Sequence, residues 1–345
     1  MFDESVRDED RFDLEAVDRR LRAAVPELPG GLPSVRQFHG GVSNRTYGLR
    51  YGDARRFVLR RPPLGEHVGA AHDMAREYRL LEVLMPHYPL APTPILFVEA
   101  DLIGQPFFLM AHVEGLIFRR DLPEGLSLGP DSCSELCRTL LQSLVALHAV
   151  PATGLGDLGR GAGYVRRQVD GWRERYRRAR TPDAGAFDKV MTWIDENAPE
   201  QQGEVLVHND FRFDNLILDP EDPTQVRGVL DWELATIGDP LMDLGNSLAY
   251  WVQAEDDPIM QMVRRQPTHL PGMWSRAQLV ERYFEASGRT PVDFTFYEVM
   301  GLFRLAVIAQ QIYKRFYDGV TRNERFANFI HGVNYFEQRC LQIIG

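Results

Sequence analysis

Residues 206–215 read LVHNDFRFDN: an apolar run is followed at once by His208, Asn209 and Asp210, and Asn215 stands five positions after the aspartate. A buried strand that ends in clustered polar groups loses free energy to desolvation unless those groups are satisfied or used. The pattern VLV predicts one short strand, LIL a second, and VRGVLDWE a third that stops at Asp231. Two short strands flanking one polar loop would then deliver Asp210, Asn215 and Asp231 to one end of a small hairpin. A carboxylate beside an acceptor hydroxyl takes its proton, while an amide oxygen and a second carboxylate are hard oxygen ligands for magnesium. Such a set suits phosphoryl transfer, which needs positioning and charge neutralisation more than covalent help.

Those residues need a scaffold, and the chain has length enough for two lobes. Its 345 residues are 44% hydrophobic, with 49 acidic against 39 basic side chains and a net charge of -10. That balance sets no general field for nucleic acid or anionic membrane, so a small-molecule partner is expected. No apolar run approaches the roughly 18 residues of a membrane span, and the acidic start MFDESVRDED is unlike a secretory signal, which predicts a cytoplasmic protein. Cys133 and Cys137 lie one helical turn apart and Cys340 is distant, a spacing of packing residues rather than of a disulfide framework or metal site.

The first third alternates short strand patterns with helical ones. A helix with Asp13 as N-cap is expected from Leu14, Val17, Leu21 and Val25, then strands in VRQFHG, RTYGLRYG, RRFVLRR, ILFVEA and PFFLMAHV, with a helix in HDMAREYRLLEVLMP. Beyond about residue 115 long amphipathic stretches dominate, interrupted near 205 to 231. The expected architecture is α+β: a small β-rich lobe over residues 1–110, a larger mainly helical lobe over 111–345, and a hinge near 110–115.

The order His208-Asn209-Asp210, Asn215, then Asp231-Trp232-Glu233 matches the kinase pattern H-x-D-x-x-x-x-N followed by a D-F-G-type aspartate. The loop resembles that of the aminoglycoside phosphotransferase family of small-molecule kinases. Residues 229–251, VLDWELATIGDPLMDLGNSLAYW, are similar to the kinase-like domain found fused to acyl-CoA dehydrogenases. The resemblance implies a protein-kinase-like two-lobe fold that uses ATP and Mg2+. By motif position it makes Asp210 the catalytic base, Asn215 and Asp231 the metal ligands, and Arg212 the neutraliser of the transferred phosphate. His208 and Asp243 would support the loop. An Asx-capped turn explains HND alone but not the whole ordered set.

In the small lobe, FHGGVSNRTYGL offers Ser43 and Asn44 at a turn that could approach phosphates, although a plain hairpin turn has the same composition. Alternation in FVLRRPP puts Val58 and Arg60 on one strand face, where the family carries a lysine; Arg60 is then the phosphate cation, with Arg61 as the other option. Glu77 stands where the family's helix offers that cation a carboxylate. FFLMAHVEG resembles the adenine-binding strand and hinge, with Met110 lining the ring pocket and Ala111 and Val113 pairing with its edge. The histidines His112 and His148 lack sequence partners and read as structural.

The acceptor is the least legible part. Residues 160–180 carry eight arginines against Asp170 and Glu174, on a helix whose apolar stripe is Val165, Val169, Trp172 and Tyr176. A solvated arginine face would look the same. If it borders the acceptor, Arg166, Arg167 and Arg173 favour an anionic hydroxylated molecule such as a hydroxy acid or hydroxyacyl-CoA. The alternatives are an aminoglycoside or other cationic-alcohol kinase, and a kinase-fold nucleotide-binding module without catalysis. No H-E-x-x-H, G-x-S-x-G or C-x-x-C pattern is present, so metallohydrolase and serine hydrolase readings lack their carriers.

Overall fold

A computed structural model describes residues 2–3, 5–38, 44–53, 55–63, 73–151, 155 and 158–345. The chain divides into two compact units, residues 1–115 with 227–234, and residues 116–226 with 235–345.

In the first unit, helix α1 (Leu14–Ala24) is capped by Asp13, whose side chain accepts from the Ala16 N–H. Strands β1 (Ser34–Phe38), β2 (Arg45–Tyr51) and β3 (Arg55–Arg61) follow, then helix α2 (Met74–Leu84) and strands β4 (Pro94–Val98) and β5 (Phe107–Ala111). The five strands form one antiparallel sheet in the order β1-β2-β3-β5-β4. Period-two alternation gives the sheet two different faces. Tyr47, Leu49, Phe57, Leu59, Phe107 and Leu109 join Val17 and Leu21 of α1 in one core. Residues of the opposite parity, Val58, Arg60, Phe108 and Met110, are buried too, and Tyr78 of α2 packs on Phe108 with ring centroids 6.2 Å apart.

The second unit opens with α3 (Pro130–His148), α4 (Tyr164–Ala179) and α5 (Asp188–Glu196), then the short strands β6 (Val205–Val207) and β7 (Leu216–Leu218). Strand β8 (Val226–Val229) spans the change of unit. After it come β9 (Thr236–Gly238), α6 (Pro240–Leu248), α7 (Pro258–Val263), α8 (Arg276–Ser287), α9 (Thr295–Tyr317) and α10 (Phe329–Ile344). The expected hairpin across the polar loop is not what forms. Strand β6 pairs antiparallel with β9, Val205 opposite Gly238 and Val207 opposite Thr236, and not with the strand on the far side of the loop. The HND turn is consequently anchored to the segment that leads into α6.

Helix α9 is the axis of this unit and packs against α4, α6 and α10. Its crossing with α6 is backbone against backbone. A Cβ on Gly245 would fall 2.5 Å from the Tyr297 carbonyl oxygen, and one on Gly301 would fall 2.4 Å from that of Gly245. Only glycine permits this approach.

Candidate active site

The loop after β6 is built around one buried carboxylate. Asp243, on the first turn of α6, has no solvent exposure. Its Oδ2 accepts from the His208 N–H at 2.7 Å and lies 3.1 Å from His148 Nε2, while Oδ1 accepts from the Asn209 N–H at 2.7 Å. His148 Nδ1 in turn lies 2.7 Å from the Tyr283 hydroxyl, so the ring is held between that hydroxyl and the Asp243 carboxylate. Burial alone would raise the Asp243 pKa, but the His148 hydrogen bond and charge, with His208, hold it below the usual carboxylate value.

Asn209 takes φ +66°, a left-handed conformation uncommon outside glycine. Four bonds hold it there: its N–H to Asp243, its carbonyl accepting from Arg304 Nη2 at 2.9 Å, and its Oδ1 accepting from the Tyr164 hydroxyl at 2.9 Å and Asn246 Nδ2 at 3.1 Å. The turn aims the next residue, Asp210. Asp210 Oδ2 accepts from Arg212 Nη2 and from Asn215 Nδ2, each at 2.9 Å, and its backbone carbonyl accepts from the same Asn215 nitrogen at 2.8 Å. Both of these Asn215 bonds use its side-chain nitrogen, which leaves the acceptor oxygen outside them. Arg212 also approaches Asp214 at 3.4 Å and lies over the Tyr250 ring at 4.2 Å. Burial pushes the Asp214 carboxyl up, against the pull of Arg212.

Within the first unit a second constellation forms around Arg60. Its guanidinium faces three carboxylates: Glu77 at 3.4 Å, Asp231 at 3.2 Å and Glu233 at 3.3 Å. Burial disfavours the cation, yet Glu77, Asp231 and Glu233 together raise its pKa. Asn44 donates to Glu233 Oε2 at 2.8 Å, and Arg76 reaches the Glu233 carbonyl at 3.4 Å. Glu77 is buried, and its Oε2 and the Arg60 Nε have no hydrogen-bond partner among the described residues. Asp231, at φ +68°, keeps a side chain 37% exposed.

Arg61 points to the other face of the sheet. It is 1% exposed, donates to the Asp10 carbonyl at 2.7 Å and the Tyr47 hydroxyl at 2.8 Å, and has no contact with the Arg60 cluster that would make it the alternative cation. Met110 is buried in register with Val58 and Pro94, and the Ala111 N–H bonds the Thr93 carbonyl at 2.8 Å, with Val113 half-buried beyond it. Ser43 lies outside the described residues.

The α4 arginines singled out for the acceptor meet protein groups instead. Arg166 and Arg173 pair with Asp195 of α5, Arg173 at 2.9 Å, and Arg167 donates to the carbonyls of Arg160 and Ala162. Four residues escaped the sequence reading. Asn209 and Asp214 lay inside the quoted loop, Glu233 stood two past Asp231, and Arg304 was visible only as a lone cation in the apolar run GLFRLAVIA. Among the described residues no group of three or more His, Cys, Asp or Glu is arranged to hold a metal, and no helix is long and apolar enough to cross a membrane.

A buried-aspartate-anchored loop, an antiparallel sheet carrying a carboxylate-bound arginine and a helical second unit define an α+β, protein-kinase-like fold. The family model for the phosphotransferase enzyme family matches residues 34–280, and the chain belongs to that family of small-molecule phosphotransferases. It is 35% identical over 306 residues to acyl-CoA dehydrogenase family member 10 of Mus musculus, covering 87% of this chain and 28% of that protein. To family member 11 of Gallus gallus it is 34% identical over 353 residues, covering 98% and 44%. The chain thus spans less than half the length of these curated relatives. Among solved structures, a provisional aminoglycoside phosphotransferase from Ralstonia eutropha superposes with a TM-score of 0.81 at 27% identity, covering 96% of this chain and 98% of that one.

Proposed function

We propose that the protein transfers the γ-phosphate of ATP to a hydroxyl of a small anionic molecule, a hydroxy acid or hydroxyacyl-CoA, with Asp210 as the general base. The observation that carries this reading is the tethering of Asp210 through one oxygen only. Arg212 and Asn215 both bond Oδ2, and among the described residues Oδ1 accepts no such bond, so one carboxylate oxygen is oriented and the other is left to take a proton. The clamp on Asn209 fixes where that oxygen points.

The residues fit a magnesium nucleotide. Mg2+ is usually held by one or two protein oxygens plus phosphates and water, so a cluster of three protein carboxylates is not required. Asn215 with its free amide oxygen and Asp231 with its exposed carboxylate have the chemistry of those ligands. When bound, the ion neutralises charge developing on the phosphates. Arg60 supplies a fixed cation for the nucleotide phosphates, oriented by Glu77, with Asn44 and Ser43 on the same stretch of chain. Its planar fork favours two-point contact with phosphate oxygens where a lysine would give one point charge. Met110, Ala111 and Val113 serve the adenine ring. Arg212, between Asp210 and Asp214, stabilises charge on the group in transfer. The anionic acceptor is supported by the acyl-CoA dehydrogenase relatives rather than by Arg166, Arg167 and Arg173, which have partners within the protein.

An ADP-release assay with magnesium, run across hydroxy acids, hydroxyacyl thioesters, sugars, choline-like alcohols and kanamycin, tests the reading. Acceptor-dependent ADP release that vanishes in Asp210→Asn, with nucleotide binding retained, is the expected result. Preference for kanamycin would refute the acceptor class, and full turnover by Asp210→Asn would refute the base.

A further inference from the structure

Four of the six arginines of α4 meet protein groups. Arg166 and Arg173 meet Asp195, Arg178 meets Glu174 at 2.7 Å, and Arg167 caps loop carbonyls. Arg175 does none of this. Its guanidinium carbon lies 4.6 Å from the centroid of the Trp172 ring, and that of Arg304, reaching in from α9, lies 5.3 Å from the same ring. Among the described residues no carboxylate stands within salt-bridge distance of either guanidinium. Two like charges on one indole are held together by stacking and raise each other's energy, a cost that an anion placed against them removes. The Arg175 pKa is pulled down, first by partial desolvation of a guanidinium whose side chain is otherwise exposed and second by Arg304.

Arg304 is buried and carries five N–H donors, of which one bonds the Asn209 carbonyl. The bond to Asn209 places this cation one residue from Asp210. Tyr250 stands on the same ground: burial raises its hydroxyl pKa, while Arg212 and Arg304 oppose the rise.

We propose that Arg175, Trp172 and Arg304 form an oxyanion subsite that holds the acid group of the phosphate acceptor beside Asp210. The assignment rests on the phosphotransfer reading and names the residues that select for charge. Planar guanidinium forks bind a carboxylate or phosphate through paired hydrogen bonds, and both lie against the Trp172 ring. The oxyanion has two available sources, the carboxylate of a free hydroxy acid and the phosphates of a coenzyme A thioester.

Calorimetric titration of the full chain with 3-hydroxybutyrate, its methyl ester, its coenzyme A thioester and kanamycin separates them, with a non-hydrolysable ATP analogue and magnesium present. Arg175→Glu and Arg175→Ala alter an exposed side chain and are expected to fold like wild type, checked by thermal melting. The expected result is a 10- to 100-fold loss of affinity for an anionic probe, larger for Arg175→Glu, with the methyl ester changed less than threefold. Loss confined to the free acid assigns the subsite to a carboxylate; loss confined to the thioester assigns it to the phosphates. Unchanged affinity for both anions, equal weakening of the methyl ester, or wild type that binds neither anion overturns the proposal. Parallel ADP-release measurements keep the two readings apart. Arg175-dependent anion binding without phosphate transfer to any probe removes the phosphotransfer reading and leaves the subsite; transfer that ignores Arg175 does the reverse.

Discussion

Asp243→Asn tests whether the catalytic loop is positioned from beneath. The wild-type carboxylate accepts three bonds, from the His208 N–H, His148 Nε2 and the Asn209 N–H. An amide offers one oxygen. If that oxygen keeps the two donors on the Oδ2 side, the new NH2 faces the Asn209 N–H, donor against donor. One charge-assisted bond is lost, worth about 1.5 to 3 kcal/mol, and two others weaken from charged to neutral, for a total of about 3 to 5 kcal/mol. That is within the roughly 5 to 15 kcal/mol of a folded domain, so the variant is expected to fold with a lowered urea midpoint. The broken bond is one of those that hold Asn209 in its left-handed turn, and the one made by its own N–H, so Asp210 should move with it. A misplacement of about 1 Å can lower turnover on the order of 10²-fold. Urea unfolding followed by fluorescence gives the first number, and ADP release per folded molecule gives the second. Wild-type turnover in a destabilised variant would show that Asp243 stabilises the fold without positioning the base, and an unchanged midpoint would refute the energetic argument altogether.

Asp210→Asn should lower turnover by about 10² to 10⁴-fold with nucleotide affinity retained, the usual worth of a placed base; titration with an ATP analogue checks the second half. Arg60→Met and Arg61→Met should separate function from stability: the first weakens nucleotide binding, measured by titration, while the second removes a 1% exposed cation from the Asp10 and Tyr47 network and lowers the free energy of unfolding, measured in urea, by about 3 kcal/mol. Asp256, bonded by Arg276 at 2.6 and 2.8 Å, has a pKa held below 3.8 because burial, which would raise it, is outweighed by Arg276, the Gln253 N–H and Arg339 together. Its contribution should therefore be complete above pH 3.8 and fade as pH falls through the depressed value, so the stability gap between wild type and Asp256→Asn, about 3 to 5 kcal/mol at neutral pH, should close on acidification. Cys137 and Cys340, whose thiols burial pushes up to about 12, should resist a thiol reagent at pH 8 until urea unfolds the chain.

Patterns with a local cause were legible in the sequence. The five strands of the first unit follow from alternation between turn residues, and α1 from its periodicity and the Asp13 cap. Alternation placed Arg60 on one strand face with Val58 but left Arg61 open as the other option. What escaped was set by partners far along the chain. The triplet Thr236–Gly238 is too short to show a period, yet it supplies the strand that pairs with Val205–Val207. An arginine-rich helix does not disclose which of its cations will meet Asp195 on another helix and which will be left over an indole. Asn209 gave no sign of its positive φ, because the four bonds that stabilise it come from Tyr164, Asp243, Asn246 and Arg304.

Three of those four partners, Asp243, Asn246 and Arg304, sit on α6 and α9 close to Gly245 and Gly301, where the helices touch without side chains. The clamp around Asn209 therefore has a mechanical tolerance smaller than one methyl group. An alanine at either glycine would wedge the helices apart and shift Asp243 and Asn246 on one side against Arg304 on the other, opening the turn like a jaw. Variation at these two positions, buried and chemically inert, would be felt as misalignment of the base before any functional group had been changed.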